Sequence, residues 1–167
     1  MTAAGWTPDE ADAWIGLLET HKQLTRALDA QLDADHGLGL STLELLGRLA
    51  AAGERWPRLS ELAGETGLSL GRVSRHMDAL ERRGLVQRRK CSTDSRAVEA
   101  HLTAAGAALQ VAAEAAHAAA VRDAFLGQLS PEEAATLATV FRRFAPRAAA
   151  ACAVATEPAA PAAAERR

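Results

Sequence analysis

The sequence contains no tyrosine and few other aromatic residues, which disfavours a fold built from β-sheets. Aromatic residues make up 4% of the 167 residues, whereas 49% are hydrophobic, chiefly Ala and Leu. Ala and Leu favour helices, while sandwiches and barrels rely on β-branched and aromatic strands. The composition therefore predicts a mostly α-helical protein, and the length fits one domain with or without extensions.

Disulfide bonds, a secretory signal and a membrane span are also not expected. The two cysteines, Cys91 and Cys152, are too few for a disulfide framework, and no charged start followed by an apolar run marks a signal peptide. The Ala-rich stretch after Thr103 is interrupted by polar residues from Gln110 to Asp123. We therefore expect a cytoplasmic protein that does not span a membrane.

Motifs for catalysis are missing as well. No Gly-rich phosphate loop, paired-carboxylate motif or nucleophile elbow occurs, and Cys91 and His101 lack the dense ligand spacing of a metal site. We therefore expect no enzymatic activity, no bound metal and no cofactor.

The positive charge of the chain is concentrated in one segment. The whole sequence has 19 Lys and Arg residues and 21 Asp and Glu residues, a net charge of -2. Between residues 71 and 96, eight basic residues stand against three acidic ones: Arg72, Arg75, Arg82, Arg83, Arg88, Arg89, Lys90 and Arg96 against Asp78, Glu81 and Asp94. Such a local surplus is typical of a surface that binds the phosphates of a nucleic acid.

Two helices are predicted before this segment. Thr7-Pro8-Asp9-Glu10 has the pattern of a helix start, and we expect that helix to run to about His36 and to end at Gly37 and Gly39. One stripe of it carries Trp14, Leu18, His21, Thr25, Leu28 and Leu32. The capping-box pattern of residues 41–44 predicts a second helix that buries Leu43, Leu46 and Leu49.

A helix, a turn, a longer helix and a hairpin follow. Residues 60–66 form a short predicted helix, Gly67 supplies a left-handed turn, and Ser69 caps a helix over 70–83. Residues 85–90 and 97–102 predict two strands, and Thr103 and Ser130 cap two further helices. The order predicts a mostly α fold with a small β wing, a winged helix-turn-helix.

This layout places candidate DNA contacts on the longer helix and on the hairpin. A helix fits the major groove, and its first turns carry the candidate residues Ser69, Gly71, Arg72, Ser74, Arg75 and His76. On the hairpin, Arg88, Arg89 and Lys90 are expected to meet the sugar-phosphate backbone. At its tip, residues 94–96 (Asp94, Ser95 and Arg96) place a carboxylate where it can orient a guanidinium toward the minor groove.

The sequence resembles the MarR family of bacterial transcription regulators from about Trp14 to Phe144. The matching residues are the segment 59–63 (LSELA), the recognition segment 69–75 (SLGRVSR), the run 80–86 (LERRGLV), and Asp94-Ser95-Arg96 followed by Leu102-Thr103. The family usually carries a second basic residue between the Asp and the Arg of the wing, where this chain has Ser95.

The resemblance implies a homodimer in which the first helix and the last two helices of each chain intertwine. It also implies a pseudopalindromic double-stranded DNA site, and commonly a repressor that a small-molecule ligand releases. On this basis residues 1–37 are the N-terminal dimerisation helix, 38–102 the DNA-binding lobe and 103–152 the C-terminal dimerisation helices. Residues 153–167, rich in Ala and Pro, are predicted to be a disordered tail.

Several alternatives remain open at this stage. Trp14 has two possible roles. It packs in the core or the dimer seam, or it forms a wall of an effector pocket. Cys91 follows three cations that would lower the pKa of its thiol, so a redox switch competes with a solvent-exposed, unpaired cysteine. Oxidant sensors of the family place their reactive cysteine in the first helix, which has none here. A DNA binder without sequence preference is a further alternative.

Overall fold

A computed structural model describes residues 5–94 and 96–144, in two units, the first ending at Ala124 and the second beginning at Phe125. The elements are α1 Pro8–His36, α2 Leu40–Ala51, α3 Leu59–Thr66, α4 Leu70–Arg82, β1 Val86–Lys90, β2 Val98–Leu102, α5 Ala104–Ala124 and α6 Pro131–Phe144, with a 3-10 turn at Leu126–Gln128. Ser95, Cys152 and the tail predicted for 153–167 lie outside the described residues.

The first helix begins and ends as its sequence predicts. The Thr7 amide donates to Glu10 Oε2 at 2.7 Å, and the Glu10 amide donates to Thr7 Oγ1 at 3.3 Å, which completes a capping box. These bonds from Thr7 hold the pKa of the Glu10 carboxyl below its usual value. Gly37 ends the helix at φ +62°, a left-handed conformation that glycine adopts readily.

The predicted capping box at residues 41–44 is wrong. Helix α2 begins at Leu40, and its N-cap residue is Gly39, which has no side chain to accept a hydrogen bond. Asp29 of α1 supplies the missing acceptor, because its Oδ1 accepts from the Leu40 amide at 2.8 Å. The start of α2 is therefore stabilised by a residue eleven positions earlier in the chain.

The core of the first unit is formed mainly by α2, α3, α4 and the hairpin, with further residues from α1 and α5. Leu43, Leu46 and Leu49 of α2 are buried as predicted, and Leu45 joins them. The other core members include Leu32, Leu38, Leu59, Leu62, Val73, Met77, Leu80, Val86, Ala100 and Ala113. Burial of such side chains stabilises the fold by about 1.5–3 kcal/mol each for the larger ones.

The connector between α2 and α3 extends the hairpin. Strands β1 and β2 pair antiparallel, with Val86 opposite Leu102 and Arg89 opposite Glu99. Arg58 forms an isolated antiparallel bridge with Glu99, and the Ala100 amide donates to the Pro57 carbonyl at 3.1 Å. The connector therefore lies along the outer edge of β2 and is attached to it by backbone hydrogen bonds.

The start of helix α5 lies close to the backbone of the segment that connects α4 to β1. Thr103 caps α5 by accepting from the Gly106 amide at 3.0 Å, and its hydroxyl donates to the Gly84 carbonyl at 2.8 Å. A Cβ atom on Gly106 would overlap the Leu85 carbonyl oxygen and lie 2.9 Å from its carbonyl carbon. Only glycine therefore fits at this helix-to-strand contact.

The second unit consists, in its described part, of a 3-10 turn and α6. Ser130 and Glu133 form the predicted capping box. The Ser130 amide donates to Glu133 Oε2 at 2.8 Å, and the Glu133 amide donates to Ser130 Oγ at 3.3 Å. No residue of α6 is buried, and Phe144 is 80% exposed. No helix in the described ranges combines the length and the apolar character needed to cross a membrane.

We predict that Gly106→Ala lowers the free energy of unfolding by at least about 3 kcal/mol, because the added methyl group displaces backbone rather than a flexible side chain. Gly64→Ala on α3 is the matched control, since open space surrounds that position and α3 is helical there. The control should leave stability unchanged or raise it by up to about 1 kcal/mol. Urea unfolding at one protein concentration measures both, and equal midpoints would contradict the prediction.

Candidate nucleic-acid interface

Helix α4 buries one face completely and leaves charged residues on the other. Val73, Met77 and Leu80 are between 0 and 1% exposed. Ser69 caps the helix as predicted, with its Oγ accepting from the Arg72 amide at 3.4 Å. Gly71, Arg72 and Arg75 are exposed, Ser74 is half-buried, and nothing lies within 4 Å of the Cβ position of Gly71. The first turns of α4 are thus open to a large ligand.

His76 is only partly available on this surface. Its Nδ1 lies 3.0 Å from Thr42 Oγ1 of α2, and the side chain is half-buried. Burial lowers the pKa of His76, and the charges of Arg72 and Arg75 lower it further. The imidazole is therefore held neutral more strongly than an exposed histidine would be, with one ring nitrogen occupied by α2.

The structure pairs Arg88 with carboxylates of α4. Its Nε and Nη2 donate to Glu81 Oε2 at 2.8 and 2.6 Å, and its Nη1 contacts Asp78 Oδ1. The Glu81 hydrogen bonds raise the pKa of the guanidinium, and the side chain is only 24% exposed. Arg88 thereby fastens β1 to α4, and its charge is already compensated within the protein.

Arg89 points to the other face of the hairpin and is also compensated. Its Nε donates to Glu99 Oε2 at 2.9 Å, and its guanidinium carbon lies 4.2 Å from the centre of the Trp56 ring. Trp56 in turn meets the His101 ring edge to face at 5.1 Å. The cation thus packs between a carboxylate and an aromatic ring of the connector.

At the tip of the wing, Asp94 orients backbone rather than a guanidinium. Its Oδ1 accepts from the Arg96 amide at 3.0 Å, and its carbonyl accepts from the Ala97 amide at 2.9 Å. The expected carboxylate–guanidinium contact is therefore replaced by a turn that leaves the Arg96 side chain exposed. Ser95, between the two, is not among the described residues.

The exposed cations of this lobe that form no ion pair fall into two groups. Arg82 and Arg83 donate to backbone carbonyls. Four others have side chains that form neither an ion pair nor a hydrogen bond within the described ranges: Arg72, Arg75, Lys90 and Arg96. Two of them lie on α4 and two on the wing. The sequence predicted the charged surface, but spacing alone did not separate these four residues from Arg88 and Arg89.

Cys91 is not the solvent-exposed thiol that was expected. Its side chain is 6% exposed, its Sγ lies 3.2 Å from Thr93 Oγ1, and Arg58 Nη2 donates to it at 3.5 Å. The pKa of the thiol is lowered chiefly by the Thr93 hydrogen bonds, not by the three cations that precede it in sequence. No second thiol is present in the described part of the chain, so the redox alternative gains no support.

Trp14 lies away from the cleft between α1 and α5. It is 49% exposed and meets Trp6 edge to face, with 6.5 Å between ring centres. The cleft is lined by Leu28, Gln31, Leu32, Asp35, Ala116, His117 and Ala120. Its enclosed volume of about 10 Å³ holds roughly one water molecule. In a single chain this cleft is too small for a drug-sized ligand.

Arg58 is a residue of this region that sequence reasoning passed over. Its guanidinium reaches Thr93 Oγ1 at 3.3 Å as well as the Cys91 sulfur, which connects the α2–α3 connector to the wing. The residues lie more than 30 positions apart in sequence, and no periodicity links them. Only the pairing of the connector with β2 brings them together.

The two comparisons that found matches with known proteins agree on one family. A model of the MarR family matches residues 36–97, from the end of α1 to the wing. Comparison with curated protein sequences gave no significant match. A mutant of MarR from E. coli complexed with operator DNA is 22% identical, covers 77% of this chain and 89% of its own with a TM-score of 0.65, and so supports the fold.

Two structures from Streptomyces coelicolor are more similar in sequence. AbsC, a MarR family transcriptional regulator, is 29% identical and covers 89% of this chain and 99% of its own, with a TM-score of 0.75. Sco3205, a MarR family transcriptional regulator in complex with DNA, is 31% identical. It covers 86% of this chain and 90% of its own, with a TM-score of 0.77. Since this identity extends over most of both chains, the protein belongs to the MarR family of transcriptional regulators.

Proposed function

We propose that the protein is a sequence-specific DNA-binding regulator of transcription that acts as a homodimer in the cytoplasm. The observation that carries the proposal is the set of four exposed cations on α4 and the wing whose side chains have no polar partner among the described residues, in a lobe whose other wing arginines are paired. Phosphates attract such cations, whereas paired cations have less to gain from them. The relative Sco3205, which was crystallised with DNA, supports the same function.

The exposed residues divide between base reading and phosphate binding. In this proposal α4 enters the major groove, where Arg72 and Arg75 donate to guanine and Ser74 contributes a hydroxyl. Ser69 and Gly71 lie at the phosphates, where Gly71 allows a close approach. Lys90 binds the backbone of the DNA and Arg96 enters the minor groove, where Asp94, which accepts from the Arg96 amide, and Ser95 are the other proposed contacts.

Arg88, Arg89 and His76 take different roles from those that the sequence suggested. We propose that Arg88 holds the wing against α4 and that Arg89 holds it against Trp56, so both position the wing instead of binding phosphate. His76 supports α4 from α2 and contributes at most its second ring nitrogen to DNA.

Apolar side chains outside the lobe support the homodimer. On α1, large residues are exposed at 42–49%: Trp14, Ile15, Leu17 and Leu18, with Trp6 just before the helix. On α6, Phe141 and Phe144 are exposed as well. Large apolar residues exposed on one helix favour a protein contact, and a two-fold dimer presents two α4 helices to two half-sites of DNA.

Release by a small-molecule effector is proposed on the family resemblance. A single chain encloses too little space in the α1–α5 cleft for such a ligand, so we place the effector site outside that cleft, at the contact with the second chain. Trp14, exposed on the helix proposed to meet that chain, is the candidate wall of this site. The alternative of a redox switch at Cys91 has no second thiol in the described residues to support it.

Selection of duplexes from a randomised pool, with the full-length protein, tests the proposed function. We expect recovery of a pseudopalindrome that binds at least about 1,000-fold more tightly than a scrambled duplex at the same salt concentration. Comparable affinity for both would favour an architectural DNA binder, and no recovered sequence together with no binding in low salt would refute DNA binding altogether.

We predict different losses for Arg75→Ala and Lys90→Ala on the selected duplex. If Arg75 pairs with a base, its loss costs about 1–3 kcal/mol and relaxes the preference at one position of each half-site. The loss of Lys90 weakens binding to all sequences and reduces the salt dependence by about 0.9 for each chain of the dimer.

Fluorescence anisotropy over a salt series, with single-position variants of the duplex, measures both effects. Arg55→Ala is the matched control, because Arg55 is an exposed arginine of the same lobe that is paired with Glu61. Unchanged affinity of Arg75→Ala and Lys90→Ala would show that α4 and the wing have been assigned wrongly.

We further predict that Leu18→Glu abolishes the dimer. A carboxylate placed on each side of a two-fold apolar contact must lose its water, which costs several kcal/mol. Thr20→Glu adds the same charge about half a turn away on α1 and should remain dimeric. Sedimentation equilibrium at micromolar concentration distinguishes the two, and a dimeric Leu18→Glu would remove α1 from the proposed interface.

A further inference from the structure

The wing is attached to the rest of the lobe at its far end by one arginine. Arg58 Nη2 donates to Thr93 Oγ1 at 3.3 Å and to Cys91 Sγ at 3.5 Å, and these two acceptors lie 3.2 Å apart. Thr93 directly precedes Asp94, the residue that forms the turn at the tip. The guanidinium thus contacts the wing next to the turn that carries Arg96.

The other end of this connection is rigid. The Arg58 amide donates to Glu61 Oε2 at 2.8 Å, Arg58 bridges to Glu99 of β2, and Leu59 is buried in the core. On the wing side, the Cys91 amide donates to the Ala97 carbonyl at 2.9 Å and closes the hairpin. Beyond this bond, the hydrogen bond from Arg58 to Thr93 is the one hydrogen bond or ion pair that joins the described loop residues to the body of the lobe.

The surroundings of the Arg58 guanidinium favour its charged form. Hydrogen bonding to Cys91 raises the pKa of the Arg58 guanidinium, and the negative charges of Asp94 and Glu61 raise it further. The thiol is buried, and Thr93 is held by the guanidinium on one side and by the sulfur on the other. Arg58 is therefore charged at neutral pH, and its hydrogen bonds hold the guanidinium at the wing.

We infer that Arg58 is a positioning residue for the minor-groove contact of the wing. Through Thr93 it sets the position and orientation of the wing tip, and so of Asp94 and Arg96, relative to the DNA. This inference rests on the proposed function. A narrow minor groove is read by how deeply a guanidinium enters it, so a wing tip free to swing would still bind phosphates but would distinguish A·T from G·C flanks poorly.

The test compares Arg58→Met and Thr93→Val, two variants that break the same contact from its two ends. The probes are the selected duplex and a copy in which only the flanking A·T pairs facing the wing are replaced by G·C. We expect each variant to bind the A·T-flanked duplex about 10-fold more weakly than wild type, while binding to the G·C-flanked duplex changes by less than about 3-fold. The flank preference thus falls, which a general loss of folding would not produce.

A double-mutant cycle with Arg96→Ala identifies the residue through which Arg58 acts. In the Arg96→Ala background, Arg58→Met and Thr93→Val should have no further effect on the flank preference, and the two together should cost no more than either alone. Arg55→Met removes a neighbouring arginine charge without touching the wing, and should keep the preference. Melting temperatures of all variants are measured alongside.

Three results would overturn the inference. The first is an unchanged flank preference in Arg58→Met and Thr93→Val. The second is a loss that persists undiminished without Arg96, which would make Arg58 a direct DNA contact. The third is a wild-type protein that binds its selected duplex with no flank preference. By contrast, failure to bind any duplex would refute the proposed function itself, so the two failures are distinguishable.

Discussion

The one-sided burial of α4 is the constraint on which the rest of the lobe depends. Val73, Met77 and Leu80 are buried in a core to which α2, α3 and the hairpin also contribute, so the helix cannot rotate about its axis without exposing them. Because the buried face is fixed, the exposed face is fixed too, and it carries Arg72 and Arg75. The direction of the positive charge therefore follows from hydrophobic packing.

Carboxylates then determine which of the cations are available to DNA. Arg88 of β1 forms ion pairs with Glu81 and Asp78 in the C-terminal half of α4. The charge of Arg89 is compensated by Glu99. The ion pairs of Arg88 join β1 to α4 and so orient the wing relative to that helix, whereas the Arg89–Glu99 pair lies within the hairpin. The same basic segment thus serves two purposes. The paired arginines stabilise the arrangement of the wing, and the unpaired ones remain exposed on the surface.

Much of this fold follows from local signals in the sequence. The caps at Thr7, Ser69 and Ser130 and the left-handed glycines 37, 67 and 84 mark most helix ends within a residue or two. The errors occur where a distant residue intervenes: Asp29 caps α2, Glu81 neutralises Arg88, and Arg58 shields Cys91. Those contacts arise from packing between elements, for which spacing along the chain carries no signal.

The central claim is that four free cations on each chain, doubled by a two-fold dimer, bind duplex DNA. The salt dependence of the wild-type affinity for its selected duplex tests it most directly. The two Lys90 side chains assigned to phosphates predict a slope of log K against log salt concentration of about −2 or steeper, at roughly −0.9 for each phosphate-bound cation. A slope close to zero, or no measurable binding in low salt, would contradict the account.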